Sequence, residues 1–483
     1  MRVFCLVALL GMAAPAAALD VHVSPGSTGD GSAASPFGTV DEAMGATGSG
    51  DIIWLHEGDY GDLTIGGTGI TVAAADGETA RLRTLTLQGA TDVVVRGLSI
   101  SLSHGDPYES STMVSVAGSC SGVTVEDCDI FSTTDDVVAD WSASDWADLP
   151  GTGMSSRAPD TTFRNNRVRN VGYGISIAHD SPNANVIGNL VDNFSRDGLR
   201  GIGDFGLFEG NVVKNAYDVD DHHDDFFQSW SVGEDGTPGT GVVRGVVLRG
   251  NLFIGFEDPD RPFAGSAQGI GCFDGFFEDW VVENNVVIVN HWHGITFLGA
   301  RNMRIVNNTV LDVRRGERPG PPWIDVSAHK DGTPSENITI RNNLAETITL
   351  EANDSVEDHN LLFDDPAALF VDPPGFDLRL LEGSAAVDSG SDENAPAFDF
   401  DGIPRPQGAA TDIGAFEWHD GTVEPDPDAS VGRPDGGPSG GGDGGGDDDG
   451  SGDGGDGCGC AAGGSAGGAM PLLVALFWLR RRR

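Results

Sequence analysis

Lysine is nearly missing from this 483-residue chain: among its 28 basic residues only Lys214 and Lys330 are lysines, against 74 acidic residues and a net charge of −46. A surface so acidic repels nucleic acid and polyanions in general, which excludes the nucleic-acid-binding classes. It reads more readily as salt-tolerant than as a binding device. Long apolar runs are also scarce, and the two that exist lie at the ends, Val3–Met12 and Met470–Leu479. Cysteine is sparse too: Cys5, Cys458 and Cys460 fall in the terminal segments, so only Cys120, Cys128 and Cys272 remain between them. Amphipathic helical periodicity is absent from the middle of the chain, which argues against alternating helix and strand.

The ends read as addresses. One arginine, an apolar run and Ala16-Ala17-Ala18 make residues 1–18 a secretory signal peptide. Residues 419–457 are Gly, Asp, Pro and Ser almost throughout and bury too little apolar surface to order, so they read as a flexible linker. Residues 458–483 hold Cys458-Gly-Cys460, the apolar run and Arg480–Arg483. The uncharged span, 458–479, is just long enough to cross a bilayer, with the arginines cytoplasmic. This arrangement resembles the MYXO-CTERM sorting signal, which implies processing by sorting machinery near the cysteines and display at the cell surface. The expectation is an exported protein that meets a membrane only through its C-terminal segment. In an oxidising compartment Cys120 and Cys128 are expected to form a disulfide, with Cys272 buried and unpaired.

The working domain is 19–418, and a repeat runs through it: 124-TVEDCDI, 162-TFRNNRV, 185-NVIGNLV, 207-LFEGNVV, 247-VLRGNLF, 281-VVENNVV, 304-RIVNNTV and 339-TIRNNLA. Each is a short strand, a bend at Asn or Gly-Asn, and a second strand. The bend asparagines Asn166, Asn189, Asn211, Asn251, Asn285, Asn308 and Asn343 are spaced 23, 22, 40, 34, 23 and 35 apart. The minimal period is too short for a βαβ unit of ~30 residues but fits one coil of a parallel β-helix. Longer intervals are a coil plus an inserted loop. Asparagine suits the left-handed backbone of such bends, and stacked asparagines can bond along the axis.

The start, 21-VHVSPGSTGDGSAASPFGTVDEAM-44, resembles the opening of right-handed β-helix proteins of the pectate-lyase-like superfamily. In those proteins Pro-Phe-x-Thr leads into a short capping helix. The stretches 378-LRLLEGSAAVDSGS-391 and 401-DGIPRPQGAATDIGAFEW-418 resemble their C-terminal segment. The resemblance implies an all-β, right-handed parallel β-helix of roughly ten to twelve coils with an N-terminal cap. That superfamily holds lyases, hydrolases, epimerases and non-enzymes, so fold alone does not assign an activity.

Chemistry concentrates in 217-YDVDDHHDDFFQSWS-231, with five aspartates and two histidines between Asp218 and Asp225. Aligning coils on Ile175, Leu199, Phe227, Ile270, Ile295 and Ile324 stacks Tyr173, Asp197, Asp225, Gln268, His293 and Pro322 in one column. Ser176, Arg200, Gln228, Gly271, Thr296 and Asp325 form a second. Adjacent coils lie ~4.8 Å apart. Asp197 and Asp225 thus become neighbours, with Arg200 beside Gln228, His223 on the entering turn and His293 two coils on. Inserted loops around 216–246, 254–268 and 312–337 flank this strand and form a groove. Trp230, Trp292 and Trp323 are candidate sugar-stacking platforms, while Arg314, Arg315 and Lys330 are candidate cations for substrate.

Three readings of the cluster compete. It is an acidic surface turn; or Asp218, Asp220, Asp221 and Asp224 offer oxygens to Ca2+, without EF-hand spacing; or it is catalytic. In the catalytic reading Asp197, Arg200, His223, Asp225, Gln228 and His293 act on a polysaccharide. Uronate β-elimination or C5 epimerisation needs a cation for the sugar carboxylate and a base for the C5 proton, roles that fit Ca2+ or Arg200 and His223. Hydrolysis needs two carboxylates flanking the glycosidic bond, such as Asp197 with Asp224 or Asp225. The Asp224-Asp225 and His293-Gly294 pairs resemble the β-helix polygalacturonases, but an extra coil intervenes and no Arg-x-Lys follows. The uronate lyase or epimerase reading is therefore favoured. A non-catalytic carbohydrate-binding or adhesive surface protein is the opposing class.

Overall fold

Each repeat folds as one coil of a right-handed parallel β-helix, the class expected. In the coil built around Asn189, Asn185–Ile187 lies in a first sheet, Leu190–Phe194 in a second and Leu199–Gly201 in a third. Each pairs in parallel with its counterparts one coil away, as in Asn185↔Leu207, Leu190↔Val212 and Leu199↔Phe227. The first sheet belongs to a 16-stranded ladder. The other two join in a 21-stranded one, because the long strand Ala80–Thr91 pairs into both. The computed structural model describes residues 18–314 and 319–426. The expected signal peptide and the C-terminal anchor (458–483) lie outside the described residues, apart from Ala18, as does most of the linker. Among the described residues no helix is long and apolar enough to cross a membrane.

The bend asparagines form a buried amide ladder. Asn189 Nδ2 and its backbone N both donate to Asn211 Oδ1 at 3.0 Å, and Asn211 does the same to Asn251 Oδ1 at 2.9 and 3.0 Å. The pattern continues through Asn285, Asn308 and Asn343 and ends on Asn360. The expected left-handed conformation belongs to a different residue. Positive φ is found one position earlier, at Asn165, Gly188, Gly210, Gly250, Asn284, Asn307 and Asn342. The preceding residue turns the chain, and the ladder asparagine points inward and satisfies backbone groups that no strand can reach.

Inward Val, Ile, Leu and Phe fill the interior. The lower half carries an aromatic series: Phe208 meets Phe227 edge-on at 5.0 Å, and Trp280 packs against Phe277 and Phe297 at 5.4 and 5.5 Å. Each such ring contributes about 1.5–3 kcal/mol through burial. Thr39 and Glu42 form a capping box that starts the helix Val40–Ala46, whose Val40 and Ala43 join the core at the N-terminal end. At the other end the chain turns back: Leu369, Phe370, Leu378, Ile413 and Phe416 cover the outward Leu190, Val212, Leu252 and Val286 of the second sheet. A buried Arg405–Glu417 pair at 2.8 Å ties this segment together.

The expected disulfide is not formed. Cys120 and Cys128 are free and buried. They lie on either side of the strand Thr124–Glu126, and an extended strand rises ~3.3 Å per residue, which carries their Cα atoms beyond the ~7 Å a disulfide can span. Cys120 Sγ instead accepts from Ala90 N at 3.4 Å, and Cys128 takes the ladder position, its backbone N donating to Asn166 Oδ1 at 3.1 Å. Cys272 is buried and unpaired, as expected.

Candidate functional site

The two columns form with little change. Ser176, Arg200, Gln228, Gly271, Thr296 and Asp325 are successive partners in the third sheet. The inward set from Ile175 to Ile324 pairs in the same register. One position differs: a bulge between His293 and Ile295 sets Trp323, rather than Pro322, opposite His293.

The strand Asp225–Trp230 is anchored by Phe226 and Phe227, both fully buried. Its first residue, Asp225, is 0% exposed and Asp197 on the preceding coil 3%. Asp197 binds Arg200 Nε through Oδ2 and accepts from the Asp225 backbone N through Oδ1 at 3.2 Å, so both oxygens are engaged. Asp225 Oδ2 meets His223 Nδ1 at 2.9 Å and accepts from Gln228 Nε2 at 3.0 Å. Among the described residues Asp225 Oδ1 has no hydrogen-bond partner, and it lies over Gly271, where an added Cβ would come within 2.4 Å of it. Glycine at 271 thus leaves room for this carboxylate. The His223 side chain, 61% exposed, sits above the buried acid.

Burial, then the charge of neighbouring aspartates, lifts Asp224 to about 9, and burial lifts Asp225 to about 7. Burial also raises Asp197 against the pull of Arg200. The bond to Asp225 raises His223 above the usual imidazole range. Asp224 therefore stays neutral at pH 7 when folded but ionises when unfolded. A carboxyl with a raised folded pKa loses stability as pH climbs from its unfolded value, ~3.8, towards its folded one. Asp224→Asn removes that titration, so its stability relative to wild type is expected to grow between pH 5 and pH 8. The gain should reach roughly 1–3 kcal/mol at pH 8, as read by chemical denaturation.

Arg200 is held between two rings, its guanidinium carbon 3.9 Å from the Tyr173 centroid and 5.4 Å from that of Trp230. Arg196 lies on the same tyrosine at 5.6 Å and contacts His222 at 3.2 Å. Tyr173 and Arg196 were not among the candidates. Their signal was present, since Tyr173 heads the same column as Asp197 and Arg196 immediately precedes it. His291 was missed as well. It stacks on His293 at 5.2 Å, and burial pushes both imidazoles down to about 4. His293 Nδ1 meets Thr296 Oγ1 at 3.0 Å, and Trp323 Nε1 donates to the same oxygen at 3.0 Å. Trp292, 43% exposed, stacks parallel to Trp323 with centroids 6.2 Å apart.

Other candidates do not join this centre. Lys330 Nζ is paired with Asp274 at 2.6 Å, past the far end of the strand. Arg314 lies over the Phe256 ring at 3.7 Å and donates to Phe256 O at 2.8 Å, so it braces the inserted loop. Arg315 lies outside the described residues. The four candidate calcium ligands do not converge. Asp220 binds His222 at 2.6 Å and faces Arg196 at 3.7 Å, Asp218 accepts from Ser266 N at 3.4 Å, Asp221 is exposed and Asp224 is buried. Among the described residues no group of three or more His, Cys, Asp or Glu side chains is placed to hold a metal ion. The orphan oxygens near Asp225, its own Oδ1 and Gln268 Oε1, fall well short of the six to eight that Ca2+ takes. Calcium therefore does not fit these residues.

No protein-family model and no curated protein matches the chain. Solved structures do align with it. Pectate lyase Pel9A is 16% identical, covering 83% of this chain and 96% of its own, with a TM-score of 0.39. A PL6 alginate lyase in complex with a trisaccharide is 14% identical, covering 69% and 85%, with a TM-score of 0.37. PfbA, a surface adhesin of Streptococcus pneumoniae, is 12% identical, covering 64% and 78%, with a TM-score of 0.34.

Proposed function

We propose that this protein acts on a uronate-containing polysaccharide by β-elimination, with His223 as the proton-transfer group. The observation that carries the reading is the pairing of a fully buried Asp225 with an exposed His223 at 2.9 Å. With Nδ1–H directed at Asp225 Oδ2, the imidazole is fixed in one tautomer and Nε2 keeps the lone pair. Gln228 shares the same oxygen and steadies it. Arg200 acts on His223 directly and Arg196 contacts the adjacent His222, in a domain otherwise strongly acidic. They suit a sugar carboxylate, whose neutralisation makes the C5 proton removable.

In that reaction Nε2 takes the C5 proton, the electron pair forms the C4–C5 double bond and the C4–O bond breaks. The imidazolium can return its proton to the departing oxygen, which closes the balance. Epimerisation at C5 requires a donor on the opposite face. His291 and His293, lowered to about 4 by burial, are neutral imidazoles at neutral pH and offer only a weakly acidic N–H as donor. Hydrolysis by a carboxylate pair is disfavoured because Asp197 and Asp225 are buried and bonded rather than open to a substrate.

The test is incubation of the purified protein with polygalacturonate, alginate and other polyuronates while following the ultraviolet absorbance of the unsaturated product. Glycan binding with no absorbance change and no cleavage across the panel would establish the non-catalytic class instead. Trp292→Ala is expected to raise KM several-fold with kcat changed less than about twofold, because a partly exposed ring offers stacking rather than reaction chemistry. A lowered melting temperature with unchanged KM would mark Trp292 as packing only.

A further inference from the structure

The outward column that delivers Arg200 and Gln228 does not begin there. Reading back towards the N-terminus, Arg200 pairs with Ser176, Ser176 with Ser155, Ser155 with Ser115, Ser115 with Thr86 and Thr86 with Thr64. Five consecutive coils thus present a small hydroxyl at one position, in register with the candidate centre. Thr112 and Thr152 form a second, parallel pair leading towards Tyr173. The hydroxyls of Ser115, Ser155 and Ser176 are part-exposed and have no hydrogen-bond partner among the described residues. By contrast, their buried neighbour Ser156 is bonded to Thr161 at 2.8 Å. The column ends at a cleft of about 390 Å3 lined by Asp41, Asp59, Tyr60, Asp62 and Thr64.

The other direction differs. Past Gln228 the column reads Gly271, Thr296 and Asp325. Thr296 is buried and already occupied by His293 and Trp323, and Asp325 adds negative charge. Substrate on the hydroxyl side meets no such block. Coils repeat every ~4.8 Å, close to the advance of one pyranose along an extended glycan, so successive sugars meet equivalent hydroxyls. The column itself offers no cation, and at the cleft where it ends Arg81 and Arg83 are already taken up by Asp59 and Asp62, at 2.7 and 2.5 Å, leaving Asp41 uncompensated by them. A polyuronate laid along it would place unneutralised carboxylates in an acidic field, whereas an uncharged sugar would lose nothing.

We propose that the Thr64–Ser176 column is the binding track for one arm of the substrate, and that this arm contains uncharged sugars. The substrate is then a mixed glycan, with a uronate at Arg200 and neutral residues on the track. This rests on the polysaccharide reading above. The test is titration calorimetry in the full-length His223→Ala variant, which removes turnover. The probes are oligosaccharides of polygalacturonate and polymannuronate, and of the alternating polymers rhamnogalacturonan and hyaluronate. Binding of an alternating oligomer, weakened at least tenfold by Ser155→Trp and by Ser115→Trp but not for a disaccharide, is the expected result. Unchanged affinity in both variants overturns the track. So does equal binding of homopolymeric uronates that tightens with Ser155→Arg, or binding of none of the four. Sensitivity to Ser155→Trp without turnover by the wild type keeps the track and removes the catalytic reading. Turnover indifferent to both tryptophans does the reverse.

Discussion

His223→Ala is expected to lower turnover on the responsive polyuronate by about 10²–10⁴-fold, the range for loss of a positioned acid–base group, while KM changes little. The imidazole is exposed at the mouth of the site and bonds inward to Asp225 Oδ2, which keeps Gln228 as a donor when the imidazole is removed, so the melting temperature should move by less than a few degrees. Asp225→Asn separates positioning from chemistry. The bond to Asp225 raises the imidazole above its ordinary 6.5, so the ascending limb of the wild-type pH–rate profile, where His223 becomes the free base, lies above that value. With an amide at 225 the raising charge disappears while Arg200 still acts to lower the imidazole. The limb should move to lower pH as the plateau falls, because the tautomer is no longer fixed. An unshifted limb in Asp225→Asn would mean that the titrating base is a different group.

The second large effect concerns the ladder. Asn211→Ala is expected to cost roughly 3–5 kcal/mol, measured by denaturant unfolding. The side chain accepts from both the backbone N and Nδ2 of Asn189 and donates to Val186 O at 2.8 Å. Its loss leaves the buried Asn189 backbone N without this acceptor and strips one bond each from Val186 O and from Asn189 Nδ2, which still donates to Phe163 O, at about 1–3 kcal/mol for each group left unsatisfied. Water has no path to them, since Asn189, Asn211 and Asn251 are all fully buried. The exposed pair Asn302–Asp279, at 3.2 Å, is the control. Asn302→Ala should cost about 1–2 kcal/mol, most of it for placing alanine in the left-handed region at a φ of 51°, because solvent replaces the lost bonds. Equal losses at the two positions would show that the ladder is no more than a surface pattern.

Much of the site was legible because a β-helix converts sequence spacing into proximity. Once the coils were aligned on Ile175 through Ile324, the neighbours of Asp197, Arg200 and Gln228 followed by counting, since parallel pairing in register leaves each residue a single partner per coil. Where the regular count fails, so did the expectation. The bulge at His293 shifted Trp323 by one position, and the strand between Cys120 and Cys128 is too extended for a disulfide. Loop residues were beyond such counting: Asp218, Asp220 and Asp221 looked like a ligand set, but Asp218 turned to Ser266, Asp220 to His222 and Arg196, and Asp221 is exposed.

The amino-acid sequence by itself determined the coil, its ladder of amides and the set of side chains facing outward from the third sheet, because period, alternation and the bend asparagines are local properties that the chain repeats. Only the tertiary structure decided which of those side chains can react. Asp197 and Asp225 differ little from other aspartates in the sequence, and it is packing beneath the strand that strips them of water, lifts their pKa values and leaves His223 as the exposed member of the pair. Exposure and dielectric are properties of what surrounds a residue, and in this chain the surroundings come from coils and loops far away along the backbone.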